Sequence, residues 1–223
     1  MNILIKFPTR GRPDQFFNTL NKYISLAQNI DKIQFLITVD SNDISMNNED
    51  VLKKLESMNV EYKIGNSFNK VHAVNRDVNE YHKHWDILLL ASDDMVPEAQ
   101  GYDEIIRQGM LENYPDTDGV LWFNDGYQKS SLNTLCILGR KYYYRFGYIY
   151  HPSYKSLWCD NEFMQISKIL NKYAYFDQVI IRHQHPDFGF GQYDIIHEKN
   201  KQHDWDDQVN FNNRLKNNFY LGC

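Results

Sequence analysis

Ser92-Asp93-Asp94 follows a wholly apolar run, Ile87 to Ala91. Two adjacent carboxylates at the end of a buried strand repel each other and lose hydration. They need a cation or firm hydrogen bonds there. The first chemistry this suggests is a divalent metal on oxygen ligands. The bland alternative is a solvated turn whose Asp caps the next helix. His183 and His185 stand two apart near a strand end and ahead of Pro186. That spacing puts both imidazoles on one face of an extended chain, where one could complete a metal site with the carboxylates. A structural role is the competing reading, and the other six histidines have no usable spacing. Asp160, ahead of an apolar-periodic stretch, reads as a helix N-cap or as a general base at the mouth of a site.

These groups need elements to place them. Ile3–Phe7, Ile33–Val39, Val60–Ile64, Ile87–Ala91 and Gly119–Phe123 read as buried strands. Helical spacing marks Phe16–Ala27, Asp50–Met58, Lys70–Tyr81 and Tyr102–Met110. Alternation of strand and helix predicts a mainly parallel α/β sheet flanked by helices. Four strands end in polar residues: at Thr9-Arg10, Asp40, Asp93-Asp94 and Asn124-Asp125. In a parallel sheet those ends share one edge and converge on one crevice. Asp31-Lys32 and Asp86 at amino ends show that the preference is not absolute. Lys70, Asn75 and Arg76 are polar groups on a helix that could face a ligand. Farther on, Leu132–Leu138 and Ala174–Ile181 read as strands, and a helix starts near Asp160 with Asp160 as its N-cap. Tyr142, Tyr143, Tyr144, Phe146, Tyr148 and Tyr150 form an aromatic run. Some of these are core, and some could be platforms for sugar rings or bases.

A chain of 223 residues with 42% hydrophobic residues can bury one substantial core. We read it as one domain, with 1–125 the donor-binding half and 126–223 the acceptor-binding half, a small metal-binding part and a polar tail. The net charge of −5 argues against a coat for nucleic acid. Cys136, Cys159 and Cys223 are scattered and suggest neither a disulfide framework nor a cysteine zinc site. The opening apolar run is too short for a signal peptide, and no stretch reaches the roughly 20 apolar residues of a membrane span. A cytoplasmic protein is therefore expected.

Taken in order, these residues resemble the GT-A fold glycosyltransferases, and among them the family 2 type. The resemblance rests on Phe-Pro-Thr-Arg-Gly-Arg-Pro (7–13) after the first strand, Asp40 after the second, and Asn75-Arg76. Ser92-Asp93-Asp94 follows as a variant of the Asp-x-Asp motif, then Asp160-Asn161-Glu162 and a late histidine. It runs to about His185. The short opening is also similar to that of small transferases of bacteriophages and giant viruses. The resemblance implies a Rossmann-like fold and a nucleotide-diphosphate sugar donor, with uridine the commonest base. Pro8, Thr9, Arg10, Arg12, Asp40, Lys70, Asn75, Ser92 and Asp93 would form the donor pocket. Ser92 stands where the family's first Asp stands, which removes a carboxylate from the ribose. Asp94 with His185, or else His183, would hold Mn²⁺ or Mg²⁺; a histidine nitrogen tilts the choice toward Mn²⁺. Asp160 would deprotonate the acceptor and so invert the anomeric centre. Tyr148, Trp158, Asn161 and Glu162 would line the acceptor site.

The acceptor stays open among a saccharide, a lipid-linked sugar, a protein side chain and a hydroxylated DNA base. The last would draw on Arg140, Lys141 and Arg145, on His197, Lys199 and Lys201, and on base stacking over residues 142–150. A solvated face is the competing reading of both basic clusters. Two other classes compete. A nucleotidyltransferase would usually carry a Gly-rich loop after the first strand, where Gly11 here stands alone. A non-catalytic nucleotide-sugar-binding module would have no need of Asp160.

Overall fold

The computed structural model describes residues 1–186, 189 and 193–222, without the side chains of 196 and 197. The start of the polar tail at Asp187, the His197 side chain and Cys223 fall outside the described residues. A seven-stranded sheet forms the centre, in the order β3-β2-β1-β4-β7-β6-β8. Its strands are β1 (Ile3–Thr9), β2 (Ile33–Asp40), β3 (Glu61–Gly65), β4 (Ile87–Leu90), β6 (Val120–Phe123), β7 (Ile137–Gly139) and β8 (Tyr173–Phe176). β1 pairs parallel with β2 and β4, β2 with β3, and β6 with β8. β7 alone runs the other way, antiparallel to both β4 and β6. Two antiparallel steps restore direction, so β6 points the same way as β1, β2 and β4. The four polar strand ends therefore do share one sheet edge. A two-stranded antiparallel ribbon, β5 (Met95–Pro97) with β9 (Ile181–His183), stands beside it. This is the mainly parallel, Rossmann-like α/β fold expected from the sequence.

The strands are apolar on both faces because both faces are covered. Ile3, Ile5 and Phe7 of β1 enter one core with α1 (Pro13–Ser25), α2 (Glu49–Ser57) and α4 (Tyr102–Asn113). Leu4 and Leu36 face the opposite core, with α3 (Lys70–Asn75), α5 (Arg140–Tyr143), α6 (Cys159–Ile169) and α8 (Asp204–Lys216). The period of two along each strand sorts the side chains between these cores. By that parity Lys6, Thr38 and Asp40 all point to the α3 side. A short helix, α7 (Ile195–Lys201), leads into α8.

Four sequence expectations need correction. The helix expected over 70–81 stops at Asn75, because Arg76 turns to extended backbone and Asp77 takes a φ of +75°. Val78 and Tyr81 keep their burial from a loop instead. The strand expected over 132–138 shrinks to Ile137–Gly139, and ahead of it Thr134 Oγ1 donates to Asp125 Oδ2 at 2.7 Å. The strand expected over 174–181 divides into β8 and β9, which belong to different sheets. Asp160 is not the N-cap of its helix; Trp158 is, at φ 62°.

Candidate functional site

Thr9 and Arg10 leave β1 at the polar edge, and Asp40 ends β2 beside them. Arg10 Nη1 donates to Asp40 Oδ2 at 2.6 Å and to Asn42 Oδ1 at 2.9 Å. The other oxygen, Asp40 Oδ1, is buried and has no hydrogen-bond partner; nor has Thr9 Oγ1. Arg76 Nη1 forms an ion pair with Asp40 Oδ1 at 3.9 Å and likewise has no hydrogen-bond partner. Buried polar atoms without hydrogen bonds are costly, and three together make this a candidate place for a polar ligand. Pro8 sits within β1, opposite Thr38 of β2. The Gly11 N–H donates to Asp43 Oδ2 at 2.7 Å, which fixes the turn after the strand.

The second group gathers at the end of β4. Ser92 Oγ donates to Asp94 Oδ1. Arg12 holds Asp194 through two nitrogens at 2.6 and 2.7 Å and reaches Asp93 at 3.3 Å. The β5–β9 ladder sets His183 opposite Met95, next to Asp94. His183 Nε2 is 3.5 Å from Asp94 Oδ2, and Nδ1 is 3.8 Å from Asp125 Oδ2. Burial opposes a charged imidazole, yet Asp125 and Asp94 on either side raise its pKa to about 9. Burial also works against the Asp94 carboxylate, but His183, the Ser92 hydroxyl and the charge of Lys70 hold it well below the usual range. Asp93 goes the other way: burial and then the neighbouring Asp94 push it up to about 6 against the pull of Arg12.

His185 lies edge-on to His183, ring centres 5.5 Å apart. Among the described residues no three acidic, histidine or cysteine side chains already stand as a metal cage. Asp94 and the His183 imidazole meet at one buried edge, with Asp93 next in the chain and the His185 imidazole alongside, and these oxygen and nitrogen donors are of the kind a divalent ion takes. Asp125 orients His183 and is a site residue that the sequence reading missed. Its signal was present, as an acidic residue at the end of a strand. Arg76, read in the sequence as a polar group that could face a ligand, pairs with Asp40.

The third group surrounds the start of α6. Asp160 stands one turn-position inside the helix, and its Oδ1 accepts from the Asn161 N–H at 2.9 Å. It is half-buried rather than sealed. Lys70, first residue of α3, links this group to the metal edge, because its charge favours the ionised forms of both Asp94 and Cys159. The first turn of α3 also touches this region through the Val71 N–H, which donates to Lys155 O at 3.3 Å. Tyr148 is half-buried and borders a small cavity of about 20 Å³ with Tyr142, His151 and Glu162. The other candidates are engaged inside the protein. Asn75 donates to Tyr150 O at 2.6 Å and accepts from the Ile149 N–H at 2.9 Å. Glu162, 1% exposed, accepts from Tyr154 and from two nitrogens of Arg214. The Trp158 indole donates to Asp204 at 2.8 Å. Of the basic cluster, Lys141 pairs with Asp116 and Arg145 with Asp118, and Arg140 bonds His84 and lies over Trp85 and Tyr144.

No sequence-family model and no curated protein sequence matches the chain. Solved structures do superpose on it. The mannosyltransferase PcManGT from Pyrobaculum calidifontis, in complex with GDP-Man and Mn²⁺, aligns at a TM-score of 0.60 and 12% identity. That match covers 80% of this chain and 55% of the other. S. aureus TarS 1-349 in complex with UDP-GlcNAc aligns at 0.63 and 11% identity, over 89% of this chain and 61% of the other. 4-Diphosphocytidyl-2C-methyl-D-erythritol synthase from Anaerococcus prevotii aligns at 0.52 and 9% identity, over 84% and 92%. This chain thus spans little more than half the length of these two glycosyltransferase structures. At such identities the likeness is one of fold.

Proposed function

We propose that this chain is a metal-dependent glycosyltransferase that moves a sugar from a nucleotide-diphosphate sugar to an acceptor hydroxyl. The observation that carries the reading is the convergence at one sheet edge of a group of buried polar atoms without hydrogen bonds and a carboxylate–imidazole group. The first group comes from Thr9, Asp40 and Arg76, and the second from Asp93, Asp94 and His183. The superposed structures that carry GDP-Man with Mn²⁺ and UDP-GlcNAc support it at the level of fold.

In this reading the nucleoside enters between Thr9, Asp40 and Arg76, whose unmatched atoms gain partners. Asp94, with Asp93 and His183 or His185, would hold Mn²⁺ or Mg²⁺. The ion, when bound, supplies positive charge for a diphosphate leaving group in a chain that is acidic overall. Lys70 adds a further cation on the same side. Asp160 takes the proton of the acceptor hydroxyl as its oxygen bonds to the anomeric carbon and the bond to the diphosphate oxygen breaks. Attack from the face opposite the leaving group inverts that carbon. The internal pairing of Lys141 and Arg145 leaves little free charge on that cluster for DNA phosphates, and favours a non-nucleic-acid acceptor.

Titration with UDP, GDP and CDP, with Mn²⁺ and with EDTA, tests the reading. Metal-dependent binding of one nucleotide, lost in Asp94→Ala, is expected; no binding under any condition removes it. Asp160→Asn should keep nucleotide binding and lose turnover, and the product's anomeric proton coupling should be opposite to the donor's. The cytidylyltransferase superposition, which covers 92% of that enzyme, motivates the second reading, nucleotidyl transfer. Release of inorganic pyrophosphate from a nucleoside triphosphate would establish it.

A further inference from the structure

Lys6 is the one charged residue within β1, and it is 0% exposed. Its ammonium donates to Thr38 Oγ1 and lies 3.8 Å from Asp77 Oδ2. Thr38 Oγ1 in turn donates to Asp77 Oδ2 at 2.7 Å. Asp77 holds the left-handed backbone that ends α3, and its carboxylate accepts from Arg76 Nε at 3.3 Å. Arg76 Nη2 donates to Val39 O at 3.0 Å. The guanidinium is thus pinned from below by an ion pair and from the side by β2. On its other side is Gly65, the last residue of β3. A Cβ built at Gly65 would stand 2.6 Å from Arg76 Nη1 and 3.2 Å from its Cζ. Gly65 is not among the glycines with positive φ. Its missing side chain, and not its backbone freedom, is what the structure uses.

This arrangement leaves Arg76 Nη1 and Asp40 Oδ1 3.9 Å apart, a buried ion pair with no hydrogen bond between its members or to any other group. A buried ion cluster with a purely structural role would close its hydrogen bonds. Here Lys6, Thr38, Asp77 and Arg76 Nε are bonded to one another, and Arg76 Nη1 and Asp40 Oδ1 keep hydrogen-bonding capacity unused. An adjacent donor and acceptor complement the hydrogen-bonding edge of a nucleobase, which offers an adjacent acceptor and donor. We infer that Lys6, Asp77 and Gly65 are positioning residues: they hold Arg76 so that its Nη1 and Asp40 Oδ1 together read one edge of the donor's nucleobase. The inference rests on the nucleotide-sugar reading above and adds to it residues with no ligand contact of their own.

Calorimetry on the full chain with Mn²⁺ tests this, using UDP, GDP, CDP and inorganic pyrophosphate as probes. Gly65→Ala, which adds one methyl group against Arg76, should weaken the preferred nucleotide about tenfold or more. It should leave pyrophosphate unchanged, because pyrophosphate has no base. In an Arg76→Ala background the same methyl has nothing to displace, and the double variant should bind like Arg76→Ala alone. Lys6→Met should weaken the nucleotide and spare pyrophosphate in the same way. Wild-type-like nucleotide binding by Gly65→Ala overturns the inference. So does an equal loss of pyrophosphate, or a loss that adds in full to that of Arg76→Ala. Wild-type-like nucleotide binding by Lys6→Met overturns the part assigned to Lys6. If the wild-type chain binds none of the three nucleotides, the underlying reading falls as well.

Discussion

His183 lies between two carboxylates, and under the proposed function a proton and a metal ion would compete for its ring. Its pKa, raised to about 9, keeps it protonated at neutral pH without metal. Metal binding through this ring must then release a proton, so Mn²⁺ affinity should rise about tenfold per pH unit from pH 6.5 to 8.5. Calorimetric Kd values across that range check it, and His183→Gln should flatten the slope. The same group marks stability. Because its folded pKa lies above the ordinary value of 6.5, its contribution is complete below about pH 6.5 and is lost as pH rises through about 9. Lys6 has the opposite sign. Burial pulls it down to about 7 from 10.5, so the unfolded chain holds more protons between those values. The cost of burying its charge is full below pH 7 and is relieved as pH rises. In EDTA, thermal unfolding between pH 7 and 10 should show the two trends opposed. Lys6→Met should remove the rising one and His183→Gln the falling one.

Helix α8 braces the start of α6. Asp207, buried, accepts from the N–H groups of Lys155, Ser156 and Leu157 at 2.9, 2.8 and 2.9 Å. Arg214 closes on Glu162, and Asp204 and Phe211 hold Trp158 in its left-handed turn. These contacts all fall just before or within the first turn of α6, where Asp160 sits. Asp207→Ala leaves three N–H groups to find new partners and should cost about 3 kcal/mol or more in urea unfolding. Arg214→Met leaves a buried carboxylate unpaired, which costs about 3–5 kcal/mol. Replacing both members of that pair with methionine should cost less than Arg214→Met alone. Since α8 touches the α6 start and not Asp40 or Asp94, Asp207→Ala should lower turnover more than nucleotide affinity.

Across the whole molecule, one sheet separates two cores and puts Thr9, Asp40, Asp94 and Asp125 at the strand ends of a single edge. Donor binding there engages the ends of β1, β2 and β4 and the β5–β9 ribbon at once, so it should resist global unfolding. A nucleotide at 100 times its Kd should add about 2.7 kcal/mol of stability when metal is present, and almost none in EDTA. The rise in Tm with concentration measures it. No described helix is long and apolar enough to cross a membrane.

The sequence by itself determined β1 to β4 and β6, most of the helices and the polar edge. Each of these is encoded locally: an apolar run bounded by polar residues reads as a doubly covered strand wherever it occurs, and helical spacing reads as a packed face. It also offered Asp40, Asp94 and a histidine as candidate site residues, because carboxylates at strand ends are informative on their own. Tertiary structure alone decided what lies between them. Arg12 and Asp194 meet across 182 positions, and Glu162 and Arg214 across 52. No local pattern distinguishes a glutamate that pairs with such a residue from one that faces an acceptor. The lysine in β1 read as an interruption of an apolar strand. Only the fold, by setting Thr38 and Asp77 against it, made it the support of Arg76. Long-range pairing of charges decides which polar groups are left open for a ligand, and those pairings exist only once the chain has closed on itself.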